Sequence, residues 1–126
     1  MGTDAGTGGM GIVPGFSIHD ELRILVENGF TPFEALLSGT GTASRIVDKM
    51  TGEDDFGTIE VGKRADLLLL DGNPLEDIGH IQDLRGVMAA GRWYSSGVLQ
   101  QWLAGGGAHG VPLETITPPG APGGPG

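Results

Sequence analysis

Three histidines, His19, His80 and His109, and sixteen carboxylates are the side chains in this 126-residue chain that could ligate a metal or move a proton near neutral pH. The chain has no cysteine, which excludes thiolate nucleophiles, sulfur ligands and disulfides. A catalytic zinc takes three protein ligands and keeps a fourth position for water, usually from His and carboxylates at close spacing. The histidines here are scattered, and neither His-x-His nor His-Glu-x-x-His occurs. The chain by itself therefore holds no complete metal centre. A serine nucleophile is no better supported, because there is no Gly-x-Ser-x-Gly elbow.

The remaining acids and glycines read blandly from their own surroundings. Asp4 stands alone in Gly2-Thr3-Asp4-Ala5-Gly6, the setting of a solvated turn aspartate. Asp66 and Asp71 flank the run Leu67 to Leu70 as strand-end or turn residues, and Glu53-Asp54-Asp55 reads as a solvated loop. Gly6-Thr7-Gly8-Gly9-Met10-Gly11 satisfies Gly-x-Gly-x-x-Gly letter for letter. A dinucleotide site also needs a buried strand before that motif and a helix opening from its last glycine. Only five residues precede Gly6, and Pro14-Gly15 intervene before the next helix, so the segment is read as a loop.

Sixteen acids against seven basic residues give a formal charge of -9. Nucleic acid and anionic membrane surfaces call for clustered Lys and Arg, and none is present. The four leucines from Leu67 to Leu70 are far short of the roughly 20 apolar residues that span a bilayer. The opening MGTDAGTGG has neither the basic region nor the apolar core of a secretory signal, so the expected location is cytoplasmic.

The elements that would position these residues follow from caps and periodicity. Ser17, with Asp20 and Glu21 close behind, predicts a helix start with Ser17 as the cap, and Ile18, Leu22, Leu25 and Val26 line one face. His19 then falls in the first turn, and Gly29 is placed for a left-handed terminus. Thr31-Pro32-Phe33-Glu34 predicts a second helix closed by a capping box, with Phe33, Leu36 and Leu37 on one face. A third, from Ala43 to Asp48, would present Ala43, Ile46 and Val47. Thr58 to Val61 reads as a short strand, and Ala65 to Leu70 as a strand buried on both faces. Arg85 to Ala89 and Arg92 to Ser95 flank Ala90-Gly91 as a hairpin. Val98 to Leu103 suggests one more helical turn. From Ala104 onward, 8 Gly and 5 Pro in 23 residues predict a flexible tail containing His109.

Four of these segments, in this order, resemble the C-terminal quarter of amidohydrolase superfamily enzymes. They are Gly2-Thr3-Asp4-Ala5-Gly6, Ser17-Ile18-His19-Asp20-Glu21-Leu22, Thr31-Pro32-Phe33-Glu34-Ala35-Leu36 and Gly57 to Leu67. Asn73-Pro74-Leu75 and the hairpin from Val87 to Arg92 continue the likeness, which covers roughly residues 1 to 95 and is greatest toward the branch of imidazolonepropionase and Xaa-Pro dipeptidase-like hydrolases. The resemblance implies an α/β fold. It would comprise the C-terminal end of a metal-dependent (β/α)8 barrel, with the last strand end and following helices, plus the C-terminal strands of a small β-sandwich, and it would be incomplete as a stand-alone fold. Residues 1–56 would be the barrel remnant, 57–95 the sandwich strands and hairpin, and 96–126 a helical turn and tail.

By the same resemblance, Asp4 ends the eighth barrel strand, binds a divalent metal, expected to be zinc, or its water, and takes a proton during hydrolysis of an amide or imide. His19 matches a histidine common in that branch just after the eighth strand, which implies either a substrate-facing position or a helix-start histidine that only packs or caps. The family's His-x-His, its metal-bridging Lys or Glu and its two later histidines would precede Met1, and the chain begins inside what should be the eighth strand. Thr42 replaces a frequent Asn, and Gly39 a frequent Ala. The expected function is thus a piece of a hydrolase acting on a non-peptide C-N bond or a small peptide, inactive alone, with a small-molecule amide as its substrate when complete. The alternative is a stand-alone, non-catalytic structural or interaction module. In either case an uncovered apolar face would favour self-association.

Overall fold

In the computed structural model, Gly2 and residues 15–104 are described. Three helices come first: α1 (Ser17–Glu27), α2 (Pro32–Gly39) and α3 (Gly41–Thr51). A sheet of β1 (Leu67–Leu70), β2 (Leu84–Ala89) and β3 (Arg92–Ser95) follows, with a 3₁₀ helix, Ile78–Gln82, between β1 and β2, and α4 (Ser96–Ala104) closes the series. This is a mixed helix and sheet fold, as expected. Ala104, where the tail was expected to start, ends α4; the rest of the predicted tail and the Gly6 to Gly11 motif lie outside the described residues.

The helix termini follow the sequence closely, with one correction. Ser17 is the first residue of α1 rather than its cap; Phe16 holds the cap position, without a side-chain cap. At the other end, Gly29 takes φ +99°. Its N–H donates to the Val26 carbonyl at 3.1 Å while the Phe30 N–H donates to that of Leu25 at 3.1 Å, the paired bonds of a Schellman terminus. α2 opens with the predicted capping box. The Glu34 N–H donates to Thr31 Oγ1 at 3.2 Å, and the Thr31 N–H donates to Glu34 Oε2 at 2.8 Å. α3 is longer than expected, running on to Gly52 at φ +76°.

Leu22 of α1, Ala35 of α2 and Ile78 of the 3₁₀ helix form the core, with Leu25, Val26, Leu36 and Ile81 packed around them. The faces predicted for α2 and α3 are shifted. Phe33 and Ile46 are more than half exposed, whereas Ala35, Gly41 and Ser44 are the buried positions. Close approach explains the shift, because small residues face inward where helix backbones meet. Gly57, at φ +84°, belongs to the same contact: a Cβ there would lie 2.8 Å from the Thr40 carbonyl oxygen and 2.6 Å from the Ser44 Cβ.

The sheet is antiparallel in the order β1-β2-β3. Val87 opposes Leu68 on one side and Tyr94 on the other, and the β1 register shifts at Leu69/Leu70. The predicted hairpin is present. Both turn residues have positive φ, Ala90 at +48° and Gly91 at +78°, as a two-residue hairpin turn matching the strand twist requires. The Trp93 ring lies over Gly86, where a Cβ would collide with it. Tyr94 meets Trp102 of α4 with ring centroids 5.4 Å apart.

Two strand expectations are corrected. Thr58 to Val61 is not a strand: Ile59 and Val61 are 87% and 108% exposed, and no strand among the described residues pairs with them. The strand expected from Ala65 to Leu70 is shorter and is not buried on both faces. β1 is a sheet edge, with Leu68 53% and Leu69 51% exposed. Its apolar run resembles that of a central strand, but it has a strand neighbour on one side only.

The capping box yields a direct test. Thr31→Ala removes the acceptor for the Glu34 N–H, and a lost cap of this type costs about 1 kcal/mol. Urea unfolding of the variant should show a lower midpoint at unchanged slope.

Candidate functional site

Of the two residues expected to act on substrate, Asp4 lies outside the described residues and His19 is seen clearly. α1 carries His19 in its first turn, half-buried, where it lines an open groove of about 300 Å³ between α1 and the 3₁₀ helix. Asp20, Arg23, Asp77 and Gln82 share the lining, and the groove continues past Phe16 and Leu84. Asp20 and Arg23 are paired at 3.0 Å on the helix surface. The Nδ1 atom of His19 is buried, with no hydrogen-bond partner among the described residues. An imidazole in this state can still accept or donate to a polar group entering the groove.

His80 has a different fate. Its Nδ1–H donates to the Asn73 carbonyl at 3.0 Å, and its ring packs so closely on Gly72 that a Cβ there would lie 2.5 Å from it. This histidine fixes the turn between β1 and the 3₁₀ helix. The Asn73 carbonyl raises its pKa above the ordinary imidazole value, with help from Asp77, Asp83 and Glu76.

Asp66, read as a strand-end residue, has a definite structural task. Its Oδ1 accepts the Ala90 N–H at 2.7 Å, and the Ala65 carbonyl accepts the Gly91 N–H at 3.0 Å, so both hairpin-turn amides are tied to the chain entering β1. Its Oδ2 also accepts from Arg64 Nε at 2.6 Å. The Ala90 amide, and then Arg64, hold the Asp66 carboxyl below the usual carboxylate range. Asp71 pairs with Arg85 at 2.6 Å. The acidic run after α3 is more engaged than a solvated loop: Asp54 meets Lys63 at 2.8 Å and Asp55 meets Arg64 at 3.5 Å.

Sequence reasoning missed the part played by Glu21, which it read only as a first-turn acid. Its Oε1 accepts the backbone N–H of Gly2 at 2.6 Å, and its Oε2 is buried with no hydrogen-bond partner among the described residues. No local pattern signals a bond between residues nineteen apart.

The amidohydrolase family model matches residues 1–94. The chain belongs to the amidohydrolase family. A search of curated proteins returns no match. Among solved structures, a Xaa-Pro dipeptidase with methionine bound in its active site is 35% identical at a TM-score of 0.55, the match covering 62% of this chain and 18% of that one. A crystal structure of another amidohydrolase is 34% identical at a TM-score of 0.52, covering 61% of this chain and 19% of that one. Molinate hydrolase is 30% identical at a TM-score of 0.56, covering 83% of this chain and 20% of that one. The chain thus spans about a fifth of the length of these amidohydrolases.

Amidohydrolases are generally metal-dependent. Among the described residues no three His, Asp or Glu side chains gather as metal ligands, so these residues by themselves do not make a metal site. Also among the described residues, no helix is long and apolar enough to cross a membrane.

The two titrating contacts make opposite pH predictions. The stability that His80 adds is fully present below the unfolded imidazole value of about 6.5 and is lost as pH rises through the elevated folded value. That of Asp66 is present above the unfolded carboxylate value of about 3.9 and is lost as pH falls through the lowered folded value. Unfolding midpoints measured from pH 3 to 9 should fall at both ends, with His80→Gln flattening the alkaline decline and Asp66→Asn the acid one.

Proposed function

We propose that this chain is the C-terminal part of a metal-dependent amidohydrolase that hydrolyses a non-peptide C-N bond or a small peptide, and that it is inactive alone. The observation that carries this reading is the family match across residues 1–94, joined to 30–35% identity with solved amidohydrolases of which the match covers only 18–20%. In this reading residues 1–56 end the catalytic barrel, 57–95 belong to the small β-sandwich, and 96–126 form a helix and tail. The divalent metal, zinc by the family's habit, belongs to the complete enzyme.

Asp4 is the general base: its carboxylate takes the proton of the attacking water and delivers it to the leaving nitrogen, so that an amine departs rather than an amide anion. His19 faces the substrate, a reading supported by its place in the lining of an open groove and by its buried Nδ1, which has no hydrogen-bond partner among the described residues. A small amide is the substrate, nucleic acid and membrane are not partners, and the enzyme is cytoplasmic. The charge of -9 supports the second of these.

The alternative, a stand-alone interaction module, requires a fold that closes on itself. The three buried apolar residues among those described make a small core, and Ile59, Val61, Leu68 and Leu69 lie open. That balance favours the part of a larger enzyme, and the isolated chain should self-associate through these faces. Equilibrium sedimentation of the 126-residue chain would favour the module if it showed a concentration-independent monomer.

The decisive comparison uses the complete enzyme containing this chain, assayed on small amides and Xaa-Pro dipeptides. Asp4→Asn should lower turnover by about a hundredfold or more, the usual effect of losing a general base. Near wild-type turnover in that variant would remove Asp4 from the mechanism.

A further inference from the structure

The chain has two asparagines, Asn28 and Asn73, and the residue after each decides what its carboxamide can undergo. Gly29 follows Asn28, so the backbone nitrogen beside that carboxamide carries no side chain to hinder it as a nucleophile. Pro74 follows Asn73, and its nitrogen has no proton to give up. Both asparagines are exposed, so water reaches each of them equally.

We propose that Asn28-Gly29 is a site of spontaneous deamidation, held in check by the folded terminus of α1. In the reaction the Gly29 nitrogen loses its proton and bonds to Asn28 Cγ, the carboxamide C–N bond breaks, and its nitrogen leaves as ammonia with that proton. Water then opens the resulting cyclic imide at one carbonyl to give aspartate, or at the other to give isoaspartate. The folded terminus engages both reacting groups elsewhere. The Gly29 N–H donates to the Val26 carbonyl at 3.1 Å, and Asn28 Nδ2 donates to the Ile24 carbonyl at 2.8 Å, which turns the carboxamide back along α1. Both bonds must open before the nitrogen can approach Cγ. They lie at the exposed end of a helix, where local opening costs far less than global unfolding.

The product cannot rebuild what it replaces. A carboxylate at position 28 has no N–H to offer the Ile24 carbonyl, stands beside Glu27, and faces the negative end of the α1 dipole. Isoaspartate also lengthens the main chain between α1 and the capping box at Thr31. Deamidation therefore loosens the connection that seats Ala35 of α2 against Leu22 of α1.

Peptide mapping by mass spectrometry reads the site in the 126-residue chain, aged in mildly alkaline buffer with and without guanidinium chloride. Asn28 should convert to a mixture of aspartate and isoaspartate while Asn73 remains an amide. Conversion should be about tenfold slower without denaturant, since two hydrogen bonds must open first. In denaturant, where no fold is at stake, Gly29→Ala should slow it because the added methyl crowds the nucleophile. The Asn28→Asp chain should unfold at a lower urea midpoint than the wild type. An Asn28 that stays intact in denaturant, or an Asn73 that converts as fast, would overturn the assignment. Equal rates in both buffers would overturn the protective role of the terminus, and an unchanged midpoint in Asn28→Asp the loosening.

Discussion

Scarcity of buried apolar surface governs this structure. Only Leu22, Ala35 and Ile78 are buried hydrophobic residues among those described, and they lie on three different elements. Ala35 has 0% exposure, and its small side chain lets α2 approach α1 closely. With so little hydrophobic driving force, the layout is carried by directional bonds: the Schellman terminus at Gly29, the capping box at Thr31 and the Asp66 tie to the hairpin turn. The 3₁₀ helix has a central place because its Ile78 completes the helical core while its two ends connect β1 to β2.

This division explains what the sequence disclosed. Thr31, Pro32, Glu34 and Gly29 act on neighbours within five residues, so local chemistry predicted both termini correctly. The Ala90-Gly91 turn was equally legible, because two short strands flank a dipeptide that can take positive φ. Apart from the cap of α1, where Phe16 takes the place expected for Ser17, the failures were non-local. Thr58 to Val61 has strand-like residues, but a strand exists only with a partner. Leu67 to Leu70 has the composition of a central strand, while its position at the sheet edge is set by connectivity. The inward faces of α2 and α3 depended on where backbones meet, which favoured Ala35 and Ser44 over larger apolar neighbours.

The site was legible to a similar depth. Family resemblance picked out His19, and the structure puts it on an open groove with a buried nitrogen that has no hydrogen-bond partner among the described residues. The same scan gave no hint of Glu21, because its partner is a backbone amide with no side-chain identity to recognise. His80 and Asp66, two titratable groups that a search for catalytic residues would collect, proved to be tied up in turns. Their perturbed protonation follows from structural hydrogen bonds, a reminder that altered pKa values mark tight contacts as well as active sites.

The edge strand β1 has a further meaning for how the chain behaves before it is fully packed. Leu67 to Leu70 combine an outer edge that no strand among the described residues pairs with and side chains that are half open, the arrangement by which one sheet recruits strands from other molecules into ordered aggregates. The run is only four residues long, and a carboxylate stands at each end, Asp66 and Asp71. Charges bracketing a short apolar strand act as gatekeepers, since stacking identical strands in register would bring like charges together. The two aspartates that organise the hairpin turn and the Arg85 pair therefore also restrain amyloid-like growth from this edge.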